Sequence, residues 1–330
     1  MEQDNHDNIE YNQQNNEKSG YPMNEVNYND FQEIGITPKK LISHAGFALF
    51  ILSLVVLGVQ TLLDILARST VPQIVDTNWY IWALTAISVV GIGFPVYYLL
   101  MRGIPDSPKG EVVKLRPTRF IMIFFISYMA MYFTNLLSTV LTVLISLIKG
   151  EELVNPVADA ILGGNFFITL LYAAIIAPII EELIFRKLLL DKVRRFGEIP
   201  AILITGIAFG LFHMNLSQFF YAAVLGFIFA YVVLKTNTIK YSILLHMMIN
   251  FMSSIMAPVL TNSKFIFIGL IFLWIIIAIT LGVVFLILNF RKIKLEKYQP
   301  VMKTSFFFLN PGMILYFLSC FIIIIYVTIS

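Results

Sequence analysis

Long apolar runs, each close to the length that crosses a bilayer, limit what this chain can fold into. Nine are read along its 330 residues, at 45–67, 79–101, 120–148, 165–190, 199–214, 217–234, 240–259, 265–290 and 306–328. A spanning helix needs about 20 consecutive apolar residues, because every backbone polar group inside the hydrocarbon must be satisfied within the segment. Spanning strands would be shorter and would alternate in polarity, which these runs do not. The expected fold is all-α, a polytopic helical membrane protein of about eight to nine transmembrane helices. Composition agrees, with 58% hydrophobic and 13% charged residues, where a soluble domain carries roughly a quarter charged. The fifth run is short and the ninth contains Asn310-Pro311, so either is expected to be re-entrant or broken.

The basic residues alternate from side to side along this map. One set of connections holds Lys39, Lys40, Arg102, Lys109, Lys114, Arg116, Arg119, Lys192, Arg194, Arg195, Lys235, Lys240, Arg291, Lys292, Lys294, Lys297 and Lys303. The opposite set holds only Arg68, Lys149 and Lys264. By the positive-inside rule the first set is cytoplasmic, which puts the N-terminus in the cytoplasm and, with nine spans, the C-terminus outside. The expected location is a plasma membrane of bacterial type, with the lipid bilayer as constant partner. The net charge of +3 carries no nucleic-acid meaning, because the basic residues flank spans as topology requires.

The chain divides into four parts on this reading. Residues 1–40 are a polar tail whose first 38 residues hold eight acids and one Lys, a composition that is expected to stay disordered. Residues 41–160 are N-terminal spans, 161–260 a candidate catalytic membrane core, and 261–330 C-terminal spans. No cleavable signal peptide is expected, since the first apolar run begins near residue 45 and is of full span length. Cys320 is the single cysteine, so an intrachain disulfide and a cysteine metal site are both excluded.

Two adjacent carboxylates, Glu181 and Glu182, interrupt the run NFFITLLYAAIIAPIIEELIFRKLLL. A carboxylate in hydrocarbon costs several kcal/mol unless paired or protonated, so such residues mark functional sites by default. On a helix Glu182 and Arg186 are i and i+4 and can pair, whereas Glu181 is turned about 100° away. One carboxylate is then neutralised and the other left free for chemistry. Downstream, Phe209 and His213 share a helical face, as do His246 and Asn250. Taken singly, a membrane His or Asn is as readily interhelical glue, and a Glu–Arg pair a structural clamp. Taken together, a carboxylate, two imidazoles and an amide match what is needed to activate a water and hold an oxyanion.

The three segments Glu181-Glu182-Leu183-Ile184-Phe185-Arg186, Phe209-Gly210-Leu211-Phe212-His213 and His246-Met247-Met248-Ile249-Asn250 resemble, complete and in order, the Glu-Glu-x-x-x-Arg, Phe-x-x-x-His and His-x-x-x-Asn motifs of the CPBP family. That family includes the type II CAAX prenyl endopeptidase and bacterial relatives also called Abi proteins. The resemblance covers roughly residues 165–255. It implies that Glu181 is the general base, that His213 holds the same water, that His246 and Asn250 donate to the oxyanion, and that Arg186 fixes Glu182, with Phe209 in support. It implies a mechanism without a cofactor. Zinc held by Glu and two His is the alternative, although His-Glu-x-x-His is absent and Asn250 would then have no role.

Depth sets a condition on this site. Counted at 1.5 Å per residue, Glu181 lies about 13 Å, His246 about 9 Å and His213 about 21 Å from the cytoplasmic ends of their helices. For the three to meet, the fifth helix must begin before residue 199, tilt or shift, or break at His213-Met214-Asn215, which a wet cavity would allow. The resulting expectation is an intramembrane endopeptidase acting on a membrane-anchored peptide or protein. Peptide or bacteriocin maturation, self-immunity and release of anchored factors are its open roles. The alternatives are a non-catalytic immunity or scaffold protein and a transporter, the latter lacking obvious paired broken helices or inverted repeats.

Overall fold

The structure is a computed structural model and describes residues 35–151, 156–262, 264–295 and 305–329. The expected disordered tail falls, up to residue 34, outside the described residues. Every regular element described is helical. In chain order they are α1 Pro38–Thr70, α2 Tyr80–Met101, α3 Pro117–Lys149, α4 Pro156–Gly163, α5 Phe166–Phe196, α6 Glu198–Phe212, α7 Leu216–Thr236, α8 Lys240–Asn262, α9 Phe265–Asn289, α10 Ser305–Phe308 and α11 Pro311–Ile329.

Their ends follow from local chemistry. Thr37 accepts from the Lys40 N–H at 3.3 Å and Pro38 opens α1, a position where the absent N–H has no partner to lose. Asn165 caps α5 by accepting from Phe167 and Ile168 N–H. Gly150 and Asn237 close α3 and α7 in the left-handed conformation, at φ 76° and 54°.

Among the described residues, seven helices are long and apolar enough to cross a membrane, and the protein is a polytopic membrane protein. They are α1, α2, α3, α5, α7, α9 and α11, two fewer than the nine expected runs. The run at 199–214 corresponds to α6, whose 15 residues are too few. The run at 240–259 corresponds to α8, 23 residues long, which carries His246 and Asn250 and stands outside the seven. The last run is broken as expected at Asn310-Pro311, between α10 and α11. Large apolar side chains of α9 such as Phe265, Ile266 and Ile287 face outward, which is the lipid side for a helix of mean hydropathy 3.1.

Two apolar clusters hold the bundle. One draws on α1, α2, α5, α6, α7 and α11; the other on α3, α7, α8 and α9. Helix α7 belongs to both and so lies between them. Its backbone runs close against that of α6. A Cβ on Gly206 would come within 2.9 Å of the Phe227 backbone N, and one on Gly210 within 2.7 Å of the Phe219 carbonyl. Gly226 faces Gly206 across the same seam, where its own Cβ would lie 2.8 Å from the Gly206 Cα. This small-xxx-small spacing lets two backbones approach where lipid supplies no hydrophobic drive between helices. Tyr316 of α11 donates to the Ala208 carbonyl at 2.7 Å and ties the last span to α6.

The end of α5 is fixed by the 103–116 connection. Lys187 and Lys192 bond Asp106 at 2.7 and 2.5 Å, and Ser107 N–H donates to the Asp191 carbonyl at 2.7 Å. Burial pushes the Asp106 carboxyl up, but the bonds from the two lysines outweigh it and hold it below the usual carboxylate value.

Gly206→Val should separate α6 from α7, since the Phe227 ring, at 2.1 Å from the added Cβ, and the Phe227 backbone N, at 2.9 Å, must both give way. Overpacking of this kind costs about 1–3 kcal/mol. Thermal denaturation of the purified protein in detergent should show the loss, and an unchanged midpoint would mean that the seam tolerates a side chain.

Candidate active site

The site begins with the irregular winding of α5. The six residues Ala177–Glu182 are regular α-helix, but wide i→i+5 turns flank them at Tyr172–Ile176 and Leu183–Leu190. Such turns inside an α-helix recur at functional sites. The first one precedes Pro178. In that turn the Ala177 N–H donates to the Tyr172 carbonyl, five residues back. The next donor in register would be residue 178, which as proline has no N–H. The Ala173 carbonyl is thereby released, and the Asn250 side chain of α8 donates to it at 2.9 Å.

The two glutamates then diverge. Glu182 and Arg186 are both fully buried, with Arg186 Nε 3.3 Å from Glu182 Oε2. Arg186 also reaches the Gly226 carbonyl at 3.4 Å. Its guanidinium stands over the rings of Phe209 and Phe229, 4.7 and 5.6 Å from their centroids. Two aromatic faces beside a desolvated cation are a favourable electrostatic setting. The Glu181 side chain is 14% exposed and lies off the Arg186 face.

His246 spans the pair. Its Nδ1 lies 3.2 Å from Glu182 Oε1 and its Nε2 3.5 Å from Glu181 Oε2. An imidazole meets two carboxylates as a donor on both sides only in its doubly protonated form. The Phe209 ring meets His246 edge to face at 5.6 Å, and Phe229 lies against the same imidazole at 5.3 Å.

His213 comes in by a break in the helix. α6 ends at Phe212, and Met214 takes a left-handed φ of 51° before Asn215 caps α7. This is the break at His213-Met214-Asn215 that the depth count allowed, and α6 begins only one residue before the expected 199. The His213 ring packs on Phe209 at 5.2 Å, so Phe209 stands against both imidazoles. The structure thus brings Glu181, Glu182, Arg186 and His246 into one contact network, hangs His213 on it through Phe209, and points Asn250 at the same helix one turn further on.

The zinc alternative fares differently. Among the described residues no group of three or more His, Cys, Asp or Glu has the geometry to hold a metal ion. Glu182 already faces the Arg186 cation, and His213 packs on rings, so the residues present do not fit a zinc set.

Several partners were not marked by the motifs. Phe229 and Gly226 contact Arg186 from α7, and their only sequence signal is small-residue spacing along α6 and α7. Pro178, three residues before Glu181, was the visible sign that a carbonyl near 173 would need a side-chain donor.

Glu182→Gln should strand Arg186 as an uncompensated buried charge, and removing one partner of such a pair costs about 3–5 kcal/mol. Glu181→Gln leaves the pair intact. Melting curves of both variants in the same detergent should show a large drop for residue 182 alone, and equal drops would contradict this division.

Residues 163–252 match the family described as Type II CAAX prenyl endopeptidase Rce1-like. Over 82 residues the chain is 32% identical to "Putative membrane peptidase YdiL" of Bacillus subtilis (strain 168), a stretch that takes in 24% of this chain and 34% of that protein. The chain therefore spans about a third of the length of the curated relative it matches. No solved structure matches it. The matched residues hold all three motif segments and the whole Glu181–Glu182–Arg186–His246 network, so the likeness to that family falls on the site itself.

Proposed function

We propose that this protein is an intramembrane endopeptidase that cleaves a membrane-associated peptide or protein with a glutamate-activated water. The observation that carries this reading is the unequal state of two neighbouring carboxylates. Glu182 is fully buried between Arg186 and His246, while Glu181 keeps 14% of its side chain exposed, with His246 Nε2 3.5 Å from its Oε2.

The chemistry follows from that difference. A water beside Glu181 gives its proton to the carboxylate as its oxygen bonds to the scissile carbonyl carbon. The carbonyl oxygen takes up the electron pair. When the C–N bond breaks, Glu181 returns the proton to the leaving amine. Glu182 and Arg186 position His246, whose Nε2 faces the reacting carboxylate. Asn250 spends one Nδ2 hydrogen on Ala173 and has a second for an oxyanion. His213, at the end of α6, holds the water from the other side of Phe209. The family name supports a peptide substrate held at the membrane, and the basic connections at 102–119 and 192–195 support an orientation with that end of α5 in the cytoplasm.

Glu181→Gln should abolish cleavage of membrane-anchored peptides by the purified protein, with helical content and expression near wild type. Retention of most of the activity would remove Glu181 from the mechanism and favour a non-catalytic scaffold. Extensive dialysis against a chelator should leave turnover unchanged. Loss of activity on stripping, regained with zinc, would overturn the metal-free reading.

A further inference from the structure

Tyr221, one turn into α7, presents a hydroxyl that the glutamate mechanism does not yet use. Its hydrogen bonds can be oriented from a backbone group outward. The Gln218 backbone N–H can only donate, so Asn215 Oδ1, 2.9 Å away, accepts. Asn215 Nδ2 must then donate, and it does so to the His213 carbonyl at 3.0 Å and to Gln218 Oε1 at 2.6 Å. Gln218 Nε2 is left as a donor and reaches the Tyr221 hydroxyl oxygen at 2.9 Å. A phenol that accepts in this way keeps its own proton for another partner.

Tyr221 lies on the face of α7 that also carries the ring against His246. Tyr221, Leu225 and Phe229 recur at four-residue steps on one face of α7, and Phe229 is the residue whose ring meets His246 at 5.3 Å. Tyr221 packs against both apolar clusters, the one holding Ile184 and Phe185 of the glutamate helix and the one holding Leu245 and Ile249 of α8. Meanwhile both nitrogens of His246 face carboxylates, and one Asn250 hydrogen is held by Ala173.

We infer that the Tyr221 hydroxyl is a further catalytic donor to the oxyanion, aimed by a relay that runs from the His213 carbonyl through Asn215 and Gln218. The inference rests on the glutamate reading above. As water adds to the carbonyl carbon and Glu181 takes its proton, the carbonyl oxygen becomes negative. Tyr221 donates a hydrogen bond to that oxygen and keeps its proton throughout. Asn215 and Gln218 are positioning residues, and the break after α6 and the donor on α7 are set by the same hydrogen bonds.

The test uses the purified full-length protein in liposomes with a panel of membrane-anchored peptides, products identified by mass spectrometry. Kinetic constants and melting temperature are measured for wild type, Glu181→Gln, Tyr221→Phe and Gln218→Glu. Tyr221→Phe should lower kcat about 10²-fold, the typical loss for one oxyanion donor, with KM and melting temperature near wild type. Gln218→Glu conserves size, but its carboxylate accepts from the phenol and draws the proton away, so kcat should fall similarly although the hydroxyl remains. A merely structural tyrosine would lower the melting temperature and leave kcat alone. If Glu181→Gln is inactive while both other variants keep kcat within about threefold, Tyr221 is no donor and the glutamate reading stands. Should Tyr221→Phe fail to fold, Gln218→Glu decides by the same criterion. If wild type cleaves no peptide, or Glu181→Gln matches it, the glutamate reading falls and takes this inference with it.

Discussion

A carboxylate and a guanidinium, 3.3 Å apart and shut off from solvent on both sides, are what the helices around α5 must accommodate. Moving each ion out of water carries a penalty of several kcal/mol, and the pair persists only where the surroundings supply further polar contacts. Those surroundings come from three other helices: the Gly226 carbonyl and Phe229 ring from α7, the Phe209 ring from α6, and His246 from α8. The charge pair therefore specifies which helices pack around α5 and in what rotation. A small shift of any of them would leave a charge without its compensation.

The same constraint distinguishes two residues that are chemically identical and adjacent. A turn of about 100° separates their side chains. One enters the Arg186 environment and becomes part of the framework; the other remains at its edge with partial exposure. His246 joins them, so the framework carboxylate holds the ring that faces the partly exposed one. The winding of α5 serves this arrangement. Its wide turns and Pro178 release a carbonyl, and Asn250 takes it up, which fixes α8 one turn beyond His246.

Much of this was legible in the residues themselves. The apolar runs gave an all-helical membrane protein, and the i, i+4 spacing of Glu182 and Arg186 gave the buried pair. The helical face shared by His246 and Asn250 is real, and both point at α5. What escaped was of two kinds. The span count depends on length and hydropathy near a threshold: α6, already expected to be short, has 15 residues, and α8 stands outside the seven although its run was counted. The partners of the motif residues depend on contacts between distant helices. Nothing in His-x-x-x-Asn reveals that the amide will meet the Ala173 carbonyl, or that Phe209 will stand between two imidazoles. The Asn215–Gln218–Tyr221 relay lies on one turn of helix, but its direction emerges only once the cap is seen.

The glycine seam between α6 and α7 also bears on how a peptide could reach the carboxylates. Where the Gly206 and Gly226 backbones touch, no gap remains for an extended chain, and opening one would tear apart the wall that carries His213 on one side and Tyr221 on the other. These two helices form a closed partition at the back of the site. On the proposed function, a peptide reaching Glu181 from the lipid would come in past some other pair of helices, with α6 and α7 as a fixed surface.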